Sequence, residues 1–205
     1  MLSLEERLEK FLDENSLKKI EKISKGWSSE IYLVENLKSE NSKEENSKKE
    51  NSEKEKFALK IEREKSPREN MAKKEVENLK LANSVNIGPK LISWDFEKRV
   101  ILMQYIPGKT FQDWIHENPS REDLQKVMQD LFFQARELDK LGLDHGQLAG
   151  PGKNILVWDT CPIIIDFEKA SIGRKTHNAN VLQALFHHNP SSAITKKIQE
   201  ILTKK

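Results

Sequence analysis

Residues 141–171 read LGLDHGQLAGPGKNILVWDTCPIIIDFEKAS, and the rest of the chain is arranged around this stretch. Asn154-Ile-Leu-Val-Trp158 and Ile163-Ile-Ile165 are apolar runs separated by Asp159-Thr-Cys-Pro162. They predict a short antiparallel hairpin with Pro162 at a strand start. Asn154 enters the hairpin and Asp166 leaves it, so antiparallel pairing brings both residues to the same end of the sheet. A carboxylate and an amide oxygen placed there suit a hard cation such as Mg²⁺, which takes oxygen ligands and commonly shares them with phosphates.

Composition narrows the class. The chain has 205 residues, 36% hydrophobic and 33% charged, with a formal net charge of +2. That balance fits a soluble chain with one core divided between two lobes. No apolar run approaches the roughly 20 residues that a membrane helix needs. Glu5, Glu6 and Glu9 near the start do not fit a signal peptide, so a cytoplasmic location is expected. A near-neutral charge gives no general pull toward nucleic acid. The single cysteine, Cys161, cannot form an internal disulfide and has no basic neighbour in sequence to activate its thiol, so it reads as structural.

His145-Gly-Gln147, Asn154 and Asp166-Phe-Glu168 resemble the catalytic loop and metal-binding loop of the protein-kinase-like fold, in which H-R-D-x-x-x-x-N is followed by D-F-G. The variant is nearer to the RIO-type and KEOPS-associated atypical kinases, and looks closest to the small archaeal predicted serine/threonine kinases related to them. The Asp-Phe-Glu ending is also similar to choline-kinase-like and aminoglycoside-phosphotransferase-like enzymes. The resemblance implies an α+β, two-lobed kinase-like fold. An antiparallel-sheet small lobe would cover residues 1–103, and a reduced helical large lobe would cover 104–205.

In chain order, Leu4, Leu8, Phe11 and Leu12 recur at helical spacing behind Ser3, with Glu6 three residues on, which predicts a capped amphipathic helix on the small lobe. Ile20-Glu-Lys-Ile23 and Ile31-Tyr-Leu-Val34 read as strands separated by a loop, Ser24 to Glu30. By the resemblance, Gly26, Trp27, Ser28 and Ser29 would cover the nucleotide phosphates, although Gly26 stands where a typical kinase has three glycines. Backbone N–H groups would do the cradling. Residues 38–56 repeat Glu-Asn-Ser in five-residue steps and hold no apolar side chain, so a disordered insertion is expected there.

Phe57-Ala-Leu-Lys-Ile61 is similar to the kinase strand that carries the phosphate-binding lysine. Alternation places Lys60 on the face of the small Ala58, away from Phe57, Leu59 and Ile61. A helix is predicted from about Ser66-Pro67 to Leu81, and Glu75 on it matches the family's partner for the strand lysine. Lys90–Trp94 and Val100–Met103 predict a second hairpin. Gln104-Tyr-Ile-Pro-Gly108 looks like the connection between lobes, where the adenine edge would meet the main chain of Gln104 and Ile106 with Met103 behind it. Helices follow over 110–116 and 121–141, the longer one ended by Gly142. Two more are marked by Val181, Leu182, Leu185 and Phe186, and by Ile194, Ile198, Ile201 and Leu202.

Departures from the family pattern bear on mechanism. The family's substrate-activating aspartate, two residues after His145, is Gln147 here, and glutamine accepts no proton at neutral pH. Asn154 lies seven residues after Gln147 where the family has five, so Ala149 to Gly152 reads as a lengthened loop. Asp144 is a candidate surrogate base. Gln147 is a candidate for orienting a nucleophile by hydrogen bonding, and Lys153 for reaching the transferred phosphate. His145 is expected to hold the metal loop rather than move protons, and Glu168 to cap or to add a carboxylate near the metal. Adjacent His187 and His188 lack the three- or four-residue spacing of a helical metal site. Only about thirty-five residues follow Ser171, too few for the long activation segment and docking helices of large protein kinases.

The resulting expectation is a Mg-ATP-dependent atypical serine/threonine kinase with an unassigned protein or small-molecule acceptor and a possible complex partner. The alternatives are a small-molecule phosphotransferase, or a nucleotide-binding pseudokinase or ATPase assembly module.

Overall fold

The computed structural model describes residues 2–37, 54–64, 70–148, 150, 152–189 and 191–203. The Glu-Asn-Ser repeat over 40–53, the expected helix start at Ser66-Pro67, and Ala149 and Pro151 of the lengthened loop lie outside the described residues. The chain divides into two compact units, Met1–Val76 with Leu91–Tyr105, and Glu77–Lys90 with Ile106–Lys205. None of the described helices is long and apolar enough to cross a membrane.

In the first unit, α1 (Leu4–Glu14) opens with the expected reciprocal cap. The Ser3 hydroxyl accepts from Glu6 N, and the Glu6 carboxylate accepts from Ser3 N at 2.8 Å, which satisfies N–H groups that a helix start leaves without partners. Strands β1 (Leu17–Lys25), β2 (Ser29–Asn36), β3 (Lys56–Glu62), β4 (Leu91–Asp95) and β5 (Val100–Gln104) form an antiparallel sheet in the order β1-β2-β3-β5-β4. Leu8, Phe11 and Leu12 of α1 pack with Val34, Phe57, Leu59, Ile61, Val100 and Leu102. The period of two leaves Ile101 for the opposite face, where Ala72 and Val76 of α2 (Met71–Ser84) join it. Arg7, buried on α1, donates to the carbonyls of Glu62 and Lys98, both at 2.7 Å, and so ties the helix to the end of β3 and to the turn between β4 and β5.

The strand expected at Ile20–Ile23 forms as part of β1, and two other expectations change. Ile20 and Ile23, the apolar markers of the first strand, fall at irregularities in the β1–β2 register and are exposed. Such bulges twist an edge strand away from stray pairing. The loop expected over Ser24–Glu30 is mostly strand, because Gly26 N donates to Ser29 O at 2.8 Å and Lys25 pairs with Glu30. α2 cannot run unbroken from Ser66, because Asn70 has φ +58 and the helix begins at Met71.

The second unit holds α3 (Phe111–His116), α4 (Arg121–Lys140), α5 (Asn178–Gln183), α6 (Ala193–Thr203) and a small sheet, β6 (Lys109–Thr110), β7 (Ile155–Trp158) and β8 (Cys161–Ile164), in the order β6-β7-β8. The β7–β8 hairpin turns on Asp159 and Thr160, at φ +47 and +59. These left-handed values match the twist of a two-residue hairpin loop. Pro162 is accommodated because β8 is an edge strand. The apolar face of α4 is buried at Leu124, Val127, Met128, Leu131, Ala135 and Leu138. The helix expected through Val181–Phe186 is α5 followed by a π-helical turn, Ala184–His188. Thr195 Oγ1, donating to Leu185 O at 2.6 Å, satisfies one carbonyl of that turn, and Phe186 is fully buried against Phe111 and Phe132.

Candidate functional site

Lys60 of β3 and Glu75 of α2 form a buried ion pair in the first unit, Nζ to Oε2 2.6 Å, with both side chains under a tenth exposed. Rupture of such a pair by removing one partner costs about 3–5 kcal/mol, because the other charge stays buried. Lys60 sits opposite Ile31 and Ile101 in the sheet, while Ala58 sits opposite Met103. Directly paired residues share a face, so Lys60, Ala58, Ile101 and Met103 line the α2 side. Gln104 ends β5 with its side chain exposed, and Ile106, in the second unit, is buried. Between β1 and β2, Ser28 is buried and Trp27 is 89% exposed, and Ser29, the first residue of β2, is buried. Glu30 at the start of β2 accepts from Tyr32 Oη at 2.7 Å and pairs with Lys22 at 2.6 Å. The Lys22 bond holds its carboxyl below the usual carboxylate range.

The hairpin in the second unit places the proposed metal ligands. Ile165 N donates to Asn154 O at 2.9 Å, and Ile155 pairs with Ile164, so Asn154 and Asp166 leave the same end of the β7–β8 ladder. Asn154 Nδ2 donates to the carbonyl of Gln147 at 3.1 Å. That bond orients the amide, so Oδ1 is the atom that could meet a cation. Asp166 has φ +67 and ψ +68, a left-handed conformation that costs a non-glycine residue about 1–3 kcal/mol and persists only where surrounding structure imposes it. A 3₁₀ turn follows at Phe167–Lys169 and carries half-buried Glu168.

What imposes the conformation is visible. Phe167 is fully buried, with its ring edge-on to His145 at 4.9 Å between centroids and against Gly88, where a Cβ would lie 2.8 Å from the ring. Asn78 of α2 donates to Phe167 O and Ala170 O at 3.1 and 2.8 Å. His145 lies 3.0 Å from Ile165 O through Nε2, while its buried Nδ1 has no partner among the described residues. A carbonyl only accepts, so Nε2 carries the proton of a neutral ring. Burial, the largest cause, pushes the pKa of His145 below its ordinary 6.5. The unfolded chain therefore takes up a proton as pH falls through about 6.5, and the folded chain does so only lower down. Stability associated with His145 is complete above pH 6.5 and is lost below it. In urea titrations at pH 7.5 and 5.5, the wild type is expected to lose more stability on acidification than His145→Gln, which keeps a donor near Nε2; equal losses would refute the neutral, locked imidazole.

The loop at Asp144–Gln147 has a second anchor that sequence reasoning missed. Buried Asn178 accepts from His145 N at 2.9 Å and donates to Asp139 Oδ1 and Leu143 O at 2.9 and 2.8 Å. Asp139 also accepts from Asn178 N and Ala179 N, at 2.9 and 3.0 Å. Asp144 is 3% exposed, and its carboxylate holds Arg174 Nε at 2.8 Å, so the candidate surrogate base is already committed to an ion pair. Gln147 is half-buried, and its Oε1 has no hydrogen-bond partner among the described residues. Lys153 is exposed. His187 and His188 lie on the π-helical turn, their rings 6.1 Å apart.

Asn154 Oδ1 and the Asp166 carboxylate fit a hard divalent cation, being two oxygen donors at one sheet end with their backbones fixed. Compared with known proteins, the chain matches the model of the RIO domain over residues 24–184. It is 30% identical over 100 residues to an uncharacterized protein of Methanocaldococcus jannaschii, an alignment covering 49% of this chain and 83% of that protein.

Proposed function

Because the chain belongs to the RIO domain family, an atypical protein-kinase-like family, we propose that it is a Mg-ATP-dependent kinase transferring the γ-phosphate to a serine or threonine hydroxyl in the cytoplasm. The observation that carries this reading is the anchored metal loop. Asp166 is held in a strained conformation by His145, Phe167 and Asn78, opposite an Asn154 whose nitrogen is already spent.

Lys60, held by Glu75, takes the α- and β-phosphates, the main chain at Gly26–Ser29 covers them, and the main chain of Gln104 and Ile106 takes the adenine edge in front of Met103. Asn154 and Asp166 hold Mg²⁺, which when bound offsets the negative charge that the phosphates carry in the transition state. Gln147 orients the acceptor hydroxyl through Oε1, and Lys153 reaches toward the transferred group. Positioning and charge neutralisation supply most of the rate in phosphoryl transfer, so the missing aspartate slows this chemistry without abolishing it.

Thermal unfolding with ATP, with and without Mg²⁺, tests the reading when run beside radiolabel transfer from γ-labelled ATP to a mixed cell extract. Mg²⁺-dependent stabilisation with a labelled protein band is expected. The absence of any ATP response would overturn it. A small-molecule phosphotransferase is the second reading, favoured by the segment after the metal loop. Only residues 172–177 separate Ser171 from α5, which leaves no long segment to dock a peptide. Nucleotide stabilisation with label appearing only in small molecules would select it.

A further inference from the structure

Arg174 has no role in the site as described, yet its guanidinium joins the two loops that carry it. Its Nε donates to Asp144 Oδ2 at 2.8 Å, and its Nη2 donates to Lys169 O at 2.6 Å and to Asp144 O at 3.3 Å. Backbone bonds between Asp144 and Ser171, 3.0 and 2.9 Å in the two directions, form a one-residue bridge beside it. The intervening residue is shaped to the contact. Gly146 has φ +75, and a Cβ there would collide with Arg174 Nη2 and come within 3.1 Å of Lys169 O.

We propose that Arg174 is a positioning residue for phosphate transfer: its guanidinium is a built-in cross-piece that fixes the catalytic loop at Asp144–Gly146 against the metal loop at Lys169. The proposal rests on the kinase reading. Asp144 lies three residues before Gln147, and Lys169 three after Asp166, so a shift at the cross-piece reaches the acceptor-orienting and metal-holding residues within one turn of chain. A planar fork can serve a carboxylate and a carbonyl together, whereas an ammonium group is a single point charge. The guanidinium is 47% exposed while Asp144 is 4% exposed, so a variant lacking Arg174 keeps a buried carboxylate, and the melting temperature of each variant is read beside its turnover to separate the local effect from unfolding.

The test uses the full chain and Mg-ATP turnover, followed as ADP formation, with Arg174→Met, Arg174→Lys and Gly146→Ala. Arg174→Met is expected to lower kcat by about 10²-fold, the scale of a small misplacement near the chemistry, with KM for ATP within about threefold. Arg174→Lys should recover only part of the loss, since Nζ can pair with Asp144 without also spanning to Lys169 O. Gly146→Ala should resemble Arg174→Met. If Arg174→Met fails to fold, the lysine and alanine variants carry the test. A wild type that turns over Mg-ATP, with kcat of the variants within about twofold of it, would sink the cross-piece alone. A wild type with neither turnover nor Mg-ATP stabilisation would sink the kinase reading and this proposal with it.

Discussion

Asp166→Ala is expected to remove Mg²⁺-dependent stabilisation by ATP and to lower phosphate transfer by at least about 10³-fold, since a bound metal supplies several kcal/mol of charge stabilisation in the transition state. The loop should survive the change. Its course is set by the His145 to Ile165 bond, the burial of Phe167 and the two bonds from Asn78, and none of these uses the Asp166 side chain. Alanine does sit less well than aspartate at φ +67, so Asp166→Asn is the necessary companion. Asparagine tolerates the left-handed region and keeps the shape while losing the charge. Activity lost in both variants, with the melting temperature preserved in the asparagine variant, assigns the defect to the carboxylate. Unchanged Mg²⁺ dependence in either would remove Asp166 from the metal assignment.

Much of this frame is legible in the sequence where the signal is local. The Ser3–Glu6 cap, the alternation that separates Lys60 from Leu59 and Ile61, and the Asn154-to-Asp166 hairpin each follow from residues within about a dozen positions of one another. The braces of the site are not local. Asn78 reaches the metal loop across 89 and 92 residues, Asn178 reaches His145 across 33, and Arg174 reaches Asp144 across 30. In sequence these are an asparagine inside a helix, an asparagine at a helix start and an arginine after a glycine, each of which reads as ordinary punctuation or surface charge. Two helix boundaries also escape the sequence. The π-helical turn at Ala184–His188 is braced by Thr195 from the next helix, exposed Asn70 enters the left-handed region just before Met71, and the apolar periodicity around them carries no trace of either. Gly146 is the partial exception, since its left-handed φ is the kind of position that favours glycine.

Gln147→Asp is expected to raise phosphate transfer by about 10²-fold or more, the scale of general base catalysis. The structure narrows the choice between the two acidic or amide candidates for handling the acceptor proton. Asp144 is buried with both carboxylate oxygens facing cations or potential cations, Arg174 Nε at 2.8 Å and His177 Nδ1 at 3.6 Å, so turning it toward an acceptor would break the Arg174 pair. Gln147 makes the opposite case. Its main chain is pinned by Asn154 while its buried Oε1 lacks a partner among the described residues, a desolvation cost that an acceptor hydroxyl donating to it would relieve. An amide oxygen there can orient the hydroxyl but cannot keep its proton, and an aspartate can do both. The gain should carry its own signature in pH. The aspartate variant must lose activity as pH falls through the carboxylate range, because a protonated acid is no base, whereas the wild type has no such limb from residue 147. Asp144→Asn should loosen the Arg174 contact and lower kcat without moving the pH profile. A Gln147→Asp variant no faster than wild type, or an Asp144→Asn variant that abolishes an acid limb in the wild type, would reverse the assignment and return the base to Asp144.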